Sequence, residues 1–179
     1  MNISKGSKAP DFSYVTVKGT GQLAQKIQEA EKTILIFSRY LGCPLCQLDI
    51  LSYCEGYARI QQKNAQILLV LQSSLETLQN QTLVKEPPFD IISDPNMELY
   101  QLFHVPAAKN MLSMLALNGK LLKKAIALSR RKLKHGAYEG NEQQLPALFI
   151  LDKDRTVLHA HYASSISDMP DVDELLQLL

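Results

Sequence analysis

The sequence is as informative in what it lacks as in what it holds. No run reaches the ~20 apolar residues of a membrane-spanning helix, and Met1 to Phe12 lacks the apolar stretch of a secretory leader. There is no surplus of charge: 19 basic against 18 acidic residues leave a formal +1, so no overall field draws the chain to nucleic acid or an anionic membrane. Internal repeats and low-complexity segments are absent, which excludes solenoids and linker arrays. Cysteine is scarce, with three in the whole chain, too few for the disulfide framework of a small secreted scaffold. These absences point to a cytoplasmic protein without nucleic-acid or membrane partners, whose partners are recognised locally. Its 179 residues suit one domain, 1–179, with a full hydrophobic core.

What is present alternates between two periodicities. Thr33 to Phe37 and Gln66 to Leu71 are continuous apolar runs of strand length, the pattern of adjacent parallel strands covered on both faces. Between them Cys46, Ile50, Tyr53, Cys54, Tyr57 and Ile60 recur at three- and four-residue steps, giving one apolar stripe on a helix that begins near Cys43. The unit is β-α-β and should be right-handed. Ala147 to Leu151 and Val157 to Tyr162 flank a short polar connection and predict a hairpin, followed by a closing helix from Val172 to Leu179. Helices are also expected over Gln72 to Gln81 and over Asp94 to Phe103, the latter with Pro95 at an early helical position, and a short strand at Ile91-Ile92. Lys109 to Lys134 reads as helical and basic, within an insertion of about 104–144. The fold class is α/β: a central mixed sheet flanked by helices, with a helical basic insertion before the late hairpin.

Two of the three cysteines, Cys43 and Cys46, lie three positions apart, and this spacing carries the chemistry. An ordinary thiol, with pKa ~8.5, is only slightly ionised at neutral pH, yet the thiolate is the attacking species. Cys43 follows a buried strand and opens a helix, where unpaired backbone donors and the helix dipole favour an anion, and Arg39 adds positive charge if it turns inward. Such settings bring cysteine pKa values down to about 3.5–7.5. Cys46, one turn deeper on the apolar stripe, is the natural resolving thiol. A peroxide would leave a sulfenic acid on Cys43 and a substrate disulfide a mixed disulfide; Cys46 then closes an intramolecular bond that an external reductant reopens. Pro44 separates the pair, Tyr40 is placed either to donate a hydrogen bond or to pack its ring, and Pro146 opens a core strand, where a cis bond would set it beside Cys43 as a substrate edge.

Four stretches, Lys8 to Phe12, Arg39 to Cys46, Gln144 to Ile150 and Asp168 to Pro170, resemble the peroxiredoxin-like alkyl hydroperoxide reductase and thiol-specific antioxidant family, which has a thioredoxin-like fold. The resemblance implies a peroxide- or disulfide-reacting thiol at Cys43, no metal or organic cofactor, and a thioredoxin-type reductant. The family's Thr or Ser three residues before the reactive cysteine is Tyr40 here, and its Pro seven before is Ile36. Where typical members place an arginine at the start of a late strand this chain has Leu145-Pro146, which looks like the cis-proline segment of thioredoxins.

Three functions follow as expectations: a thiol-dependent peroxidase, a protein disulfide oxidoreductase, and a redox-sensing module whose disulfide controls a partner. Zinc is a poor fit to Cys43 and Cys46, because a tetrahedral site needs two further suitably spaced ligands. Cys54 reads as a small buried hydrophobe, and His159 and His161 as one face of a strand. His104 and His135, each beside loop signals, are left outside the site as surface histidines. The basic run from Lys120 to Lys134 reads as a solvated helix face, with docking of an acidic reductase as the alternative.

Overall fold

The computed structural model describes residues 3–115 and 119–179. Seven strands form one sheet in the order β2-β1-β5-β4-β3-β6-β7. They are β1 (Ser13–Thr16), β2 (Gly19–Gln22), β3 (Lys32–Phe37), β4 (Ala65–Leu71), β5 (Asp90–Ser93), β6 (Ala147–Leu151) and β7 (Val157–Tyr162). β3 pairs parallel with β4, Thr33 opposite Gln66 and Phe37 opposite Val70, and antiparallel with β6, Phe37 opposite Ala147. β4 pairs parallel with β5, and the β6–β7 hairpin carries an irregularity at Ile150/Leu151. The sheet is therefore mixed, as expected, and its two central strands are the two apolar runs.

Those runs are continuous because both faces are covered. Leu35, Phe37, Leu68, Val70 and Phe149 enter one core, with Phe12, Tyr100 and Phe103 packed on it. Ile34, Ile36, Ile67, Leu69 and Leu148 enter the other, with Ile50, Tyr53, Tyr57 and Ile60 of the long helix α2 (Pro44–Gln61) and Leu175 of α6 (Val172–Leu178). Alternate residues of a strand point to opposite faces, so an uninterrupted apolar run serves two cores at once.

Several sequence expectations are corrected. The helix expected over Gln72 to Gln81 shortens to α3 (Leu75–Gln79), because the Ser74 hydroxyl caps it by accepting from the Thr77 amide. The helix expected from Asp94 begins only at α4 (Glu98–Leu102): the Asp94 carboxylate accepts from the amides of Glu98 and Leu99, so Pro95 sits in the turn before the helix. The β1–β2 hairpin and the short α1 (Leu23–Lys26) were not foreseen. In the basic run expected to be helical from Lys109 to Lys134, the described residues form a 3-10 turn at Leu112–Met114 and α5 (Gly119–Arg131); 116–118, within that run, lie outside the described residues.

The run is closed at its neck by backbone bonds from the Ala108 amide to the Gln143 carbonyl and from the Leu145 amide to the Pro106 carbonyl. α5 has no buried residue and is held by ion pairs: Lys124 to Asp49 and Arg131 to Glu55 on α2, and Lys120 to Glu174 on α6. Among the described residues no helix is long and apolar enough to cross a membrane.

Candidate functional site

β3 ends at Phe37 and the chain turns through Ser38 to Gly42 into α2, with Cys43 as its N-cap. Pro44 takes the first helical position, where its missing amide donor costs nothing. The Cys43 sulfur then does what a capping oxygen does elsewhere, accepting from the Cys46 amide at 3.4 Å. Cys43 and Cys46 are free thiols, each about 95% buried or more, at 3% and 5% exposure.

The two sulfurs are pushed apart in acidity. A hydrogen bond from the Cys46 thiol, the positive charge of Arg39 and the backbone amides of Cys46 and Leu45 outweigh burial and bring Cys43 down to about 6. Burial, reinforced by the negative charge of Cys43, pushes Cys46 well above the ordinary thiol range, with a Ser38 hydrogen bond opposing. The arrangement favours the thiolate at Cys43 and the protonated thiol at Cys46.

Arg39 is the charge that sequence reasoning could place only conditionally. Its side chain is buried, and among the described residues no carboxylate lies within ion-pair distance of it. Its Nε has no hydrogen-bond partner. A buried guanidinium without a carboxylate is costly unless another anion faces it, and the Cys43 thiolate is that anion. Arg39 Nη2 donates to the Tyr40 hydroxyl at 3.3 Å, and its guanidinium carbon lies 5.1 Å from that ring's centroid.

Tyr40 is fully buried and packs with both cysteines and Leu45. It both packs and hydrogen-bonds, and its partner is a histidine that the sequence left outside the site. Tyr40 Oη lies 3.1 Å from His135 Nε2, while His135 Nδ1 lies 2.7 Å from the Gly136 carbonyl. A carbonyl only accepts, so Nδ1 carries the proton; in the neutral ring Nε2 then accepts from the Tyr40 hydroxyl. Tyr138 stacks on His135 with centroids 4.1 Å apart.

His135 arrives on an extended strap, 134–141, that lies across the Cys43 loop. The Gly136 amide donates to the Gly42 carbonyl at 2.8 Å, and Gln47 Nε2 donates to the Lys134 carbonyl at 3.3 Å. A side chain at Gly42 would meet the Ala137 carbonyl oxygen at 2.0 Å, so only glycine permits the crossing. Strap contacts thus fall on both sides of Cys43 in the chain. A cleft of about 470 Å³ opens between Gly42, Gln47, the strap and α3. The apolar cavity of about 210 Å³ beyond Leu41 holds no thiol.

No cis peptide bond occurs among the described residues, which corrects the cis bond considered at Pro146. Pro146 precedes β6, so by register it lies level with Ser38, and its carbonyl accepts from the Ala163 amide. Cys54 is half-buried on α2, with its thiol pushed up to about 11 by burial. His161 is taken up by the Asp168 carbonyl at 2.7 Å, and no cluster of three metal-ligating side chains occurs among the described residues.

Known structures share this architecture. Peroxidoxin BcpB from Mycobacterium tuberculosis aligns with a TM-score of 0.67 at 15% identity, covering 99% of this chain and 96% of that one. The yeast mitochondrial 1-Cys peroxiredoxin aligns at 0.69 and 15% identity, covering 98% and 74%. A putative thiol:disulfide interchange protein DsbE from Chlorobium tepidum aligns at 0.61 and 18% identity, covering 99% and 96%. At these identities the likeness is one of fold. No curated protein matches by sequence. The family model of AhpC/TSA matches residues 5–160, most of the chain and all of the Cys43 loop. With a thiol-bearing helix start on a thioredoxin-like sheet, the protein is a member of the AhpC/TSA family, and its chemistry is thiol-dependent redox chemistry.

Proposed function

We propose that this protein reduces peroxides through a dithiol–disulfide cycle in which Cys43 attacks and Cys46 resolves. The observation that carries the reading is the split acidity at one helix start: a thiolate facing buried Arg39, beside a thiol that keeps its proton. The Cys43 thiolate attacks one peroxide oxygen, the O–O bond breaks, and the departing alkoxide or hydroxide takes a proton, leaving Cys43 as a sulfenic acid. Cys46 then attacks the Cys43 sulfur, the S–S bond forms, and the sulfenic oxygen leaves as water with the Cys46 proton. A thioredoxin-type dithiol protein restores both thiols, itself becoming the disulfide.

In this reading Arg39 stabilises the thiolate, Tyr40 orients Arg39, Pro44 starts the helix that presents Cys43, and Pro146 walls the inner side level with Ser38. No metal or organic cofactor takes part. The whole chain, 1–179, acts as one domain with 104–144 as its insertion, and the compartment is the cytoplasm.

Protein disulfide exchange is the second reading, favoured by Cys46 standing one helical turn from Cys43 and by Tyr40 occupying the family's hydroxyl position. A redox sensor with negligible turnover is the third. The test is the second-order rate of thiol loss to hydrogen peroxide. Rapid loss abolished by Cys43→Ser, and halted at the sulfenic acid by Cys46→Ser, supports the cycle. A rate no faster than that of an ordinary free thiol moves the assignment to disulfide exchange.

A further inference from the structure

Besides its backbone contacts to the Cys43 loop and the Tyr40–His135 bond, the strap has one charged anchor, the Glu139 carboxylate. Glu139 Oε2 accepts from the Ser73 hydroxyl at 2.5 Å, and Oε1 accepts from the Ser74 amide at 3.1 Å and the Thr77 hydroxyl at 2.8 Å. The Ser73 hydroxyl in turn accepts from the Leu41 amide at 2.8 Å, two residues before Cys43, so the anchor is tied directly to the Cys43 loop. Beyond it, the Asn141 amide donates to Gln72 Oε1 at 2.6 Å, and Gly140, at φ +62°, packs on the Gln72 side chain. Strap residues 134–138 are exposed, and although His135 reaches Tyr40, none of them contributes a buried apolar anchor. Three hydrogen bonds to one charged carboxylate therefore hold a segment that hydrophobic burial does not.

Cys43 is 3% exposed beneath this crossing, with contacts to Tyr40 and Gly42 on one side and Gln47 on the other. The cleft beside Gly42 runs along the strap without Cys43 in its walls, so a small molecule such as a peroxide reaches the sulfur with far less displacement of the strap than a protein needs. The attacking sulfur of a protein partner, carried on its own backbone, cannot come into line with it while the strap lies in place.

We propose that Glu139 is a specificity-determining residue: by latching the strap to Ser73, Ser74 and Thr77 it reserves Cys43 for small oxidants and keeps macromolecular thiols and disulfides out until the strap lifts. The assignment rests on Cys43 being the reacting thiol. It adds that a protein reductant meets the Cys43–Cys46 disulfide only in the strap-lifted form, so the two half-reactions use different positions of one segment.

The experiment compares two probes of different size on the full chain in a Cys54→Ser background, with modification read at Cys43: hydrogen peroxide and a maleimide carried on a polyethylene glycol chain. Glu139→Ala is expected to raise the rate with the bulky maleimide roughly tenfold or more, as loss of charged hydrogen bonds predicts, while the hydrogen peroxide rate is unchanged. Thr77→Val, which removes one partner from outside the strap, is expected to move the same ratio in the same direction by less, and it carries the test if Glu139→Ala fails to fold. Equal acceleration with both probes, or no change with the bulky one, overturns the proposal. A slow peroxide rate in the parent protein would instead count against the peroxidase reading, and leaves the size ratio of the variants to decide the latch separately.

Discussion

The β3–α2–β4 unit and the insertion that lies over it are held by different forces. In the unit, all seven residues of β4 and five of the six in β3 are buried, and α2 lays Ile50, Tyr53, Tyr57 and Ile60 against them. In the insertion, α5 buries nothing fully, exposes Leu122 and Ile126, and is fixed by ion pairs to Asp49, Glu55 and Glu174. Apolar burial is not screened by salt, whereas partly exposed ion pairs are weak and screened. The chain therefore places a rigid frame beneath Cys43 and a lightly held cover above it, and the thiol lies where the two meet.

The largest effect that would sharpen this contrast lies in the frame. Phe37 is fully buried and meets Tyr100, Phe103 and Phe149 ring to ring, so Phe37→Ala should cost about 3–5 kcal/mol in denaturant unfolding. A cost near that of a surface change would mean the frame is not packed as described.

An intermediate effect belongs to the junction. With Cys43 at about 6, its alkylation by a small reagent should fall as pH drops through that value, with no second step from Cys46 below the ordinary thiol range. The sign for stability follows from a folded value depressed below an unfolded value of ~8.5: the contribution is full above that upper value, declines as pH falls toward about 6, and is gone below it. Unfolding followed across this window should show the decline, and Cys43→Ser should remove it.

The smallest effect lies in the cover. Arg131 and Glu55 form a half-exposed α5 pair, at 36% and 59% side-chain exposure, and Arg131→Ala should cost about 1 kcal/mol or less. High salt should increase amide exchange in α5 while β3 and β4 stay protected. Equal sensitivity of both regions would break the comparison.

Legibility in the sequence divides along the same line. The two central strands and the stripe of α2 could be read because burial on two faces, or on one face of a helix, writes a periodicity into the chain. The β1–β2 hairpin was not legible because its strands are four residues each and β2 offers only Thr20 between two glycines, too little for an alternating pattern. α4 was read too long because Asp94 satisfies the first helical amides from four residues outside it. His135 and Glu139 carry no local signal at all. Each is a single polar residue in a surface stretch, and its partner, Tyr40 for one and Ser73 for the other, is brought within reach by the return of the insertion.

What the sequence by itself determined is the setting of Cys43: a thiol at the junction of a buried strand and an amphipathic helix, with a second thiol one turn on, since both features depend on residues within a few positions of each other. Only the tertiary structure decided that Arg39 turns inward without a carboxylate, that Tyr40 is bonded to a histidine 95 residues away, that Pro146 is trans, and that a strap crosses at Gly42. These depend on which distant segments come to lie together, and exposed polar contacts leave no periodic trace from which that could be read.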